Sequence, residues 1–111
     1  MIKVKLICKE ITPVEPRIIV NINSHIDLEE VYILVFFPNL FYKCSKVKKE
    51  DFGKKVYWEL YEYVDIIAQL DYLIVAVVDK NANEFLKCNM SIKKNLNRCT
   101  YNKKGKKKQT F

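Results

Sequence analysis

The sequence predicts an all-β protein, an antiparallel sandwich of six to seven short strands with a basic C-terminal tail. Three observations carry this expectation. Apolar residues recur mainly at every second position, the spacing that sets one face of a strand on a core and the other in water. Turn-forming residues punctuate the chain roughly every ten residues, the rhythm of sandwiches. No segment shows a helical pattern long enough for the crossover that parallel strands need. At 111 residues, 50% of them hydrophobic, the chain suits one compact domain whose core needs no metal or disulfide staple. Residues 1–92 are expected to form that domain and residues 93–111 the tail.

In the first strand Ile2, Val4, Leu6 and Cys8 alternate with Lys3, Lys5, Ile7 and Lys9. Pro13 and Pro16 then interrupt the ladder, because proline lacks the amide donor, and predict a turn or a strand switch. Ile18, Val20 and Ile22 alternate with Ile19, Asn21 and Asn23 and end in the turn chemistry of Asn23-Ser24-His25. Val31 to Phe37 is apolar on both faces, which predicts a central strand covered outside as well as inside, or one side of an interface. After Pro38-Asn39, Leu40 to Cys44 reads as a short strand and Lys46 to Lys55 as a charged loop. Val56 to Tyr61 alternates as a strand, although Leu60, Val64 and Ile67 also recur at helical spacing. The expectation is a strand to about residue 61 and one helical turn near 65–69. Tyr72 to Val78 and Glu84 to Ile92 are the last two strands, joined by a turn over Asp79 to Asn83.

The segment DIIAQLDYLIVAVVDKNANEF resembles the end of immunoglobulin-like modules: a corner, a tyrosine opening the penultimate strand, a V-x-D exit and a turn into the final strand. The resemblance covers about 21 residues closely and the other strands by number and spacing. It implies that Tyr72 packs its ring inside and returns its hydroxyl to nearby backbone. Ala82 and Asn83 stand where many such modules have Gly-Asn, and the core cysteine pair of antibody domains is not recognisable.

Charge is segregated along the chain. Residues 1–84 carry 11 basic and 13 acidic residues, a net −2, while residues 85–111 carry 9 basic and none acidic. Lys93, Lys94, Arg98, Lys103, Lys104, Lys106, Lys107 and Lys108 therefore form a candidate surface for nucleic acid or an acidic partner. Such a run neutralises phosphates without reading sequence. It can equally order along an acidic neighbouring subunit, with Phe111 as an apolar anchor, or simply stay solvated. Ile, Lys and Asn make up 39 residues, a bias that AT-rich coding also produces.

Chemistry-bearing motifs are sparse. There is no glycine-rich phosphate loop, and Cys8, Cys44, Cys88 and Cys99 lie 36, 44 and 11 residues apart with one histidine, not the paired spacing of a zinc site. The thiols are expected to be reduced and packed as small apolar groups. A Cys8–Cys88 bridge requires the first and last strands to be neighbours. A His25 relay with Asp27 and Glu29, and convergence of Glu59, Glu62 and Asp65, are conceivable, but solvated charges are the simpler account. Tyr57, Trp58, Tyr61 and Tyr63 suit either a stacking platform for bases or sugars or core on one face and subunit contact on the other; with Phe37 and Phe111 they are the candidate partner interface, since tyrosine and tryptophan give large contact area at little entropic cost. No signal-like or membrane-spanning apolar run is seen.

The expectation is therefore a non-catalytic structural or interaction subunit without cofactor, metal or small-molecule substrate, located in a virion or the host cytoplasm. A small sandwich with a polybasic end looks similar to accessory subunits of tailed-phage particles, which decorate capsids or join tail parts. The alternative is a cellular nucleic-acid-binding or ribosome-associated protein using the tail.

Overall fold

Alternation settles which side of each strand is buried. The computed structural model describes residues 3–23 and 27–94. Its strands are β1 (Val4–Leu6), β2 (Glu10–Ile11), β3 (Arg17–Ile22), β4 (Glu30–Phe37), β5 (Phe41–Lys48), β6 (Lys55–Glu59), β7 (Tyr72–Val78) and β8 (Glu84–Ile92). A 3-10 turn over Tyr61–Tyr63 leads into the single-turn helix α1 (Val64–Ile67) between β6 and β7. The protein is thus mainly β. One sheet has the order β1-β3-β6 and the other β2-β8-β7-β4-β5.

The two sheets face each other across a single core. Ile18, Val20 and Ile22 of β3 meet Val31, Ile33, Val35 and Phe37 of β4 and Leu73, Val75 and Val77 of β7, all at most 1% exposed. Each such burial contributes about 1.5–3 kcal/mol against the entropy of ordering the chain. Leu60, Ile67 and Phe52 close the core from the connecting turns.

Several expectations need correction. The first strand is two strands: it pairs antiparallel with β3 through Leu6, bends, and continues as β2 alongside β8. The switch thus falls before Pro13, where the chain leaves one sheet for the other. The β2–β8 pair is parallel, so the larger sheet is mixed and not wholly antiparallel. First and last strands are neighbours, yet Cys8 and Cys88 are both free thiols. Cys8 and Cys44 are exposed and so are not packed as apolar groups.

β5 continues through Lys48, well past Cys44, in unbroken register with β4. The hairpin between them turns at Pro38-Asn39, where Leu40 N–H donates to the Phe37 carbonyl at 2.9 Å and Asn39 has φ 65°. Proline followed by a residue of positive φ is the type II pattern. The first three residues of the expected Lys46 to Lys55 loop are therefore strand, and the rest, as far as β6, is built from two tight turns. Lys49–Asp51 form a 3-10 turn, followed by Phe52 at φ −67°, ψ 144° and Gly53 at φ 85°, a second type II turn that drives Phe52 into the core. A Cβ at Gly53 is penalised, so Gly53→Ala should cost about 1–2 kcal/mol. The reverse holds at Ala82, whose φ is 66°, in the turn between β7 and β8. Ala82→Gly should raise the melting midpoint by a few degrees, because relief of left-handed strain outweighs the added freedom of the unfolded chain. Thermal unfolding of both variants by circular dichroism checks the opposite signs.

Candidate interaction face

The strand register assembles an apolar band on the outer side of the five-stranded sheet. Phe36 of β4 lies between Tyr42 of β5 and Ile74 of β7; Leu34 lies between Cys44 and Ala76; Tyr32 lies between Lys46 and Val78. Beyond β7, β8 contributes Lys87 and Asn89 to the same face, opposite Ala76 and Ile74. The Phe36 and Tyr42 rings approach to 5.6 Å. Ala76 points outward but is only 2% exposed, because the larger side chains around it close over it.

One end of this band is the most open. At the tip of the β4–β5 hairpin Leu40 is 58% and Tyr42 59% exposed, and at the head of β7 Tyr72 is 40% exposed. Together with Phe36, Ile74 and Lys87 they line an open depression of about 520 Å³. Contiguous exposed apolar surface of this kind marks interaction sites in soluble proteins. At the other end the Tyr32 hydroxyl donates to Glu30 Oε2, and Lys46 Nζ lies 3.7 Å from Glu30 Oε1. That hydrogen bond, aided by Lys46, holds the Glu30 carboxyl below its ordinary range; the same hydrogen bond, with burial, raises the Tyr32 phenol above its own.

The described residues expected to form a partner interface do not share one surface. Phe37 is 1% exposed and belongs to the core, with ring contacts to Phe41 at 4.9 Å and Tyr63 at 5.2 Å. Its place in a predicted interface is therefore corrected. Trp58 and Tyr63 are half-buried against that core, whereas Tyr57 and Tyr61 are 53% and 51% exposed. Tyr57 lies on the outer side of the three-stranded sheet and Tyr61 in the turn after β6, so four aromatics adjacent in sequence are dispersed over different surfaces.

Tyr72 also departs from expectation. Its side chain lies outside, and its hydroxyl has no hydrogen-bond partner among the described residues; Leu73 is the inward residue at the head of β7. A one-residue offset along a strand exchanges faces, and the immunoglobulin-like corner role assigned to Tyr72 is lost.

Of the basic residues, Lys94 Nζ pairs with Asp71 at 3.2 Å at the surface, and the Lys93 amide donates to the Ile11 carbonyl at 2.8 Å. Arg98, Lys103, Lys104, Lys106, Lys107, Lys108 and Phe111 lie outside the described residues, as do His25 and Cys99. Glu59 is engaged by Arg17 at 2.8 Å, and Glu62 and Asp65 are exposed on separate turns. Among the described residues no three His, Cys, Asp or Glu side chains are grouped to hold a metal. No helix among them is long and apolar enough to cross a membrane. The sequence did signal the band itself, through the doubly apolar run Val31 to Phe37, but its partners on β5 and β7 become visible only with the register.

Comparison with family models, curated proteins and solved structures finds no match to the chain.

Proposed function

We propose that the protein is a non-catalytic interaction subunit of a larger assembly, docking through the outer face of its five-stranded sheet. The apolar band from Leu34 through Phe36 to the hairpin tip carries this reading, because a half-buried aromatic face flanked by Lys46 and Lys87 has the apolar centre and charged rim of an interface. The strand order supports an immunoglobulin-like arrangement of the sandwich: a first strand shared between sheets, a hairpin beside the central strands, and a helical turn before β7. We take the assembly to be a phage particle, in which the module decorates the capsid or joins tail components. The composition and the basic C-terminal region favour that setting.

Co-expression with the products of neighbouring genes, followed by native mass measurement, tests the proposal. The wild-type chain should enter a stoichiometric complex. Leu34→Gln/Phe36→Gln should remain folded and monomeric but drop out of it. Loss of at least tenfold in affinity is expected if these side chains lie at the interface centre. A wild-type chain that stays a free monomer beside those products counts against the reading.

A second reading rests on the 9 basic and no acidic residues of 85–111. In it the C-terminal region grips a phosphate backbone, and binding declines steeply with salt. Replacing Lys103, Lys104, Lys106, Lys107 and Lys108 by Gln should then abolish nucleic-acid binding.

A further inference from the structure

The outer face of the three-stranded sheet has a different chemistry from the apolar band. Register places Lys5, Asn21 and Lys55 in one row across β1, β3 and β6. Lys3 lies one step further out, where its carbonyl accepts the Asn23 amide at 2.8 Å. The next row toward the opposite end ends in Tyr57, which pairs with Ile19. Lys3, Lys5, Lys55, Asn21, Asn23 and Phe85 surround an open depression of about 760 Å³, and none of its lining residues is acidic. All three lysines are exposed. No ion pair among the described residues involves them.

From these observations we infer that this face binds single-stranded nucleic acid, with Lys3, Lys5 and Lys55 holding successive phosphates and Tyr57 stacking a base. Neighbouring strands are about 4.8 Å apart and alternate residues about 7 Å apart along a strand. The lysines therefore form a track about 10 Å wide across the sheet. A positive track beside an exposed ring is the combination that single-strand binders use. Tyr57 is suited to the second part. The Arg17 guanidinium lies 5.7 Å from its ring centroid and is itself anchored by Glu59 at 2.8 Å, which positions the ring while leaving it 53% exposed. A duplex keeps its bases stacked within and offers Tyr57 nothing, and a carboxylate-bearing partner offers charge without a base. The surface is on the other sheet from the apolar band, and none of its residues belongs to the basic run 93–111.

Fluorescence anisotropy of the full chain with a labelled oligothymidylate of about 20 nucleotides, longer than one small domain covers, tests the inference across a salt series. Each phosphate contact on a single strand contributes about 0.7 to the slope of log affinity against log salt. Lys3→Gln/Lys5→Gln/Lys55→Gln should therefore lower that slope by about 2, while Lys→Arg at the same positions should preserve it and controls for folding. Tyr57→Ala should weaken binding about tenfold and Tyr57→Phe should retain it. The Leu34→Gln/Phe36→Gln chain should bind as wild type does, which separates this surface from the docking proposal. The inference is overturned if the triple Gln chain keeps the wild-type slope, if Tyr57→Ala binds normally, or if polyglutamate competes as well as the oligonucleotide at matched charge. It is likewise overturned if glutamine at Lys103, Lys104, Lys106, Lys107 and Lys108 alone removes all binding.

Discussion

Replacing Phe37 by alanine should destabilise the protein by about 3–5 kcal/mol, the usual cost of emptying a buried aromatic site. Phe37 ends β4 where the sandwich is closed by aromatic rings: Phe41 at 4.9 Å and Tyr63 at 5.2 Å from Phe37, and 6.2 Å from each other. Lys43 Nζ lies 5.6 Å from the Phe41 ring centroid and 5.8 Å from that of Tyr63, covering the cluster from outside. Alanine removes the central ring and leaves the other two without their shared neighbour. For a domain of this size the melting midpoint should fall by roughly 15 °C or more, whereas Phe37→Leu, which keeps most of the volume, should cost less than about 1.5 kcal/mol. If Phe37 were instead an anchor for a partner, alanine would weaken assembly and leave the isolated chain's melting unchanged. Differential scanning calorimetry of the monomer separates the two.

Acid should unfold the protein partly through Asp79. This carboxylate, 8% exposed, organises the β7–β8 turn by accepting the amides of Asn81 at 2.8 Å and Asn83 at 2.9 Å and the Asn83 side-chain amide at 2.9 Å. The Asn83 side-chain hydrogen bond is the largest influence, and with the two backbone amides it holds Asp79 below its ordinary range of acidity despite the opposing effect of burial. A group with a lowered folded pKa stabilises the fold fully above its unfolded value, near 3.9, and the contribution fades as pH falls through the folded value. The melting midpoint should therefore drop below about pH 4. Asp79→Ala should lower it by roughly 5–10 °C at neutral pH and flatten the acid limb, because the titrating group is gone. An unchanged acid limb in Asp79→Ala would assign the acid sensitivity to other carboxylates, Glu30 first.

Much of the fold was legible because the central strands obey a simple rule. Ile18, Val20 and Ile22, and likewise Val31 to Phe37 and Leu73 to Val77, present their buried sides at every second residue. The end of β5 is illegible for the opposite reason: as an edge strand it is exposed through most of its length, and Lys46 and Lys48 read as loop when only Val47 is buried. Phe52 is not legible in the sequence pattern, because its inward position depends on the positive φ of Gly53 and not on any period. The candidate faces were harder to read. The sequence clustered Tyr57, Trp58, Tyr61 and Tyr63 by proximity along the chain, but alternation and the turn after β6 send them to different sides. Lys3 and Lys55, the extremes of that track, are 52 residues apart in sequence, and only pairing through β3 sets Lys5 and Lys55 in one row with Lys3 beside it.

The parallel seam between β2 and β8 has a mechanical consequence. Tension applied between residues 10 and 93 draws these strands lengthwise past one another. The Ser91 amide bond to the Lys9 carbonyl at 3.0 Å and the Lys93 amide bond to the Ile11 carbonyl at 2.8 Å then carry the load side by side and must rupture together. A lap joint resists pulling in this way, whereas a zipper opens one tooth at a time.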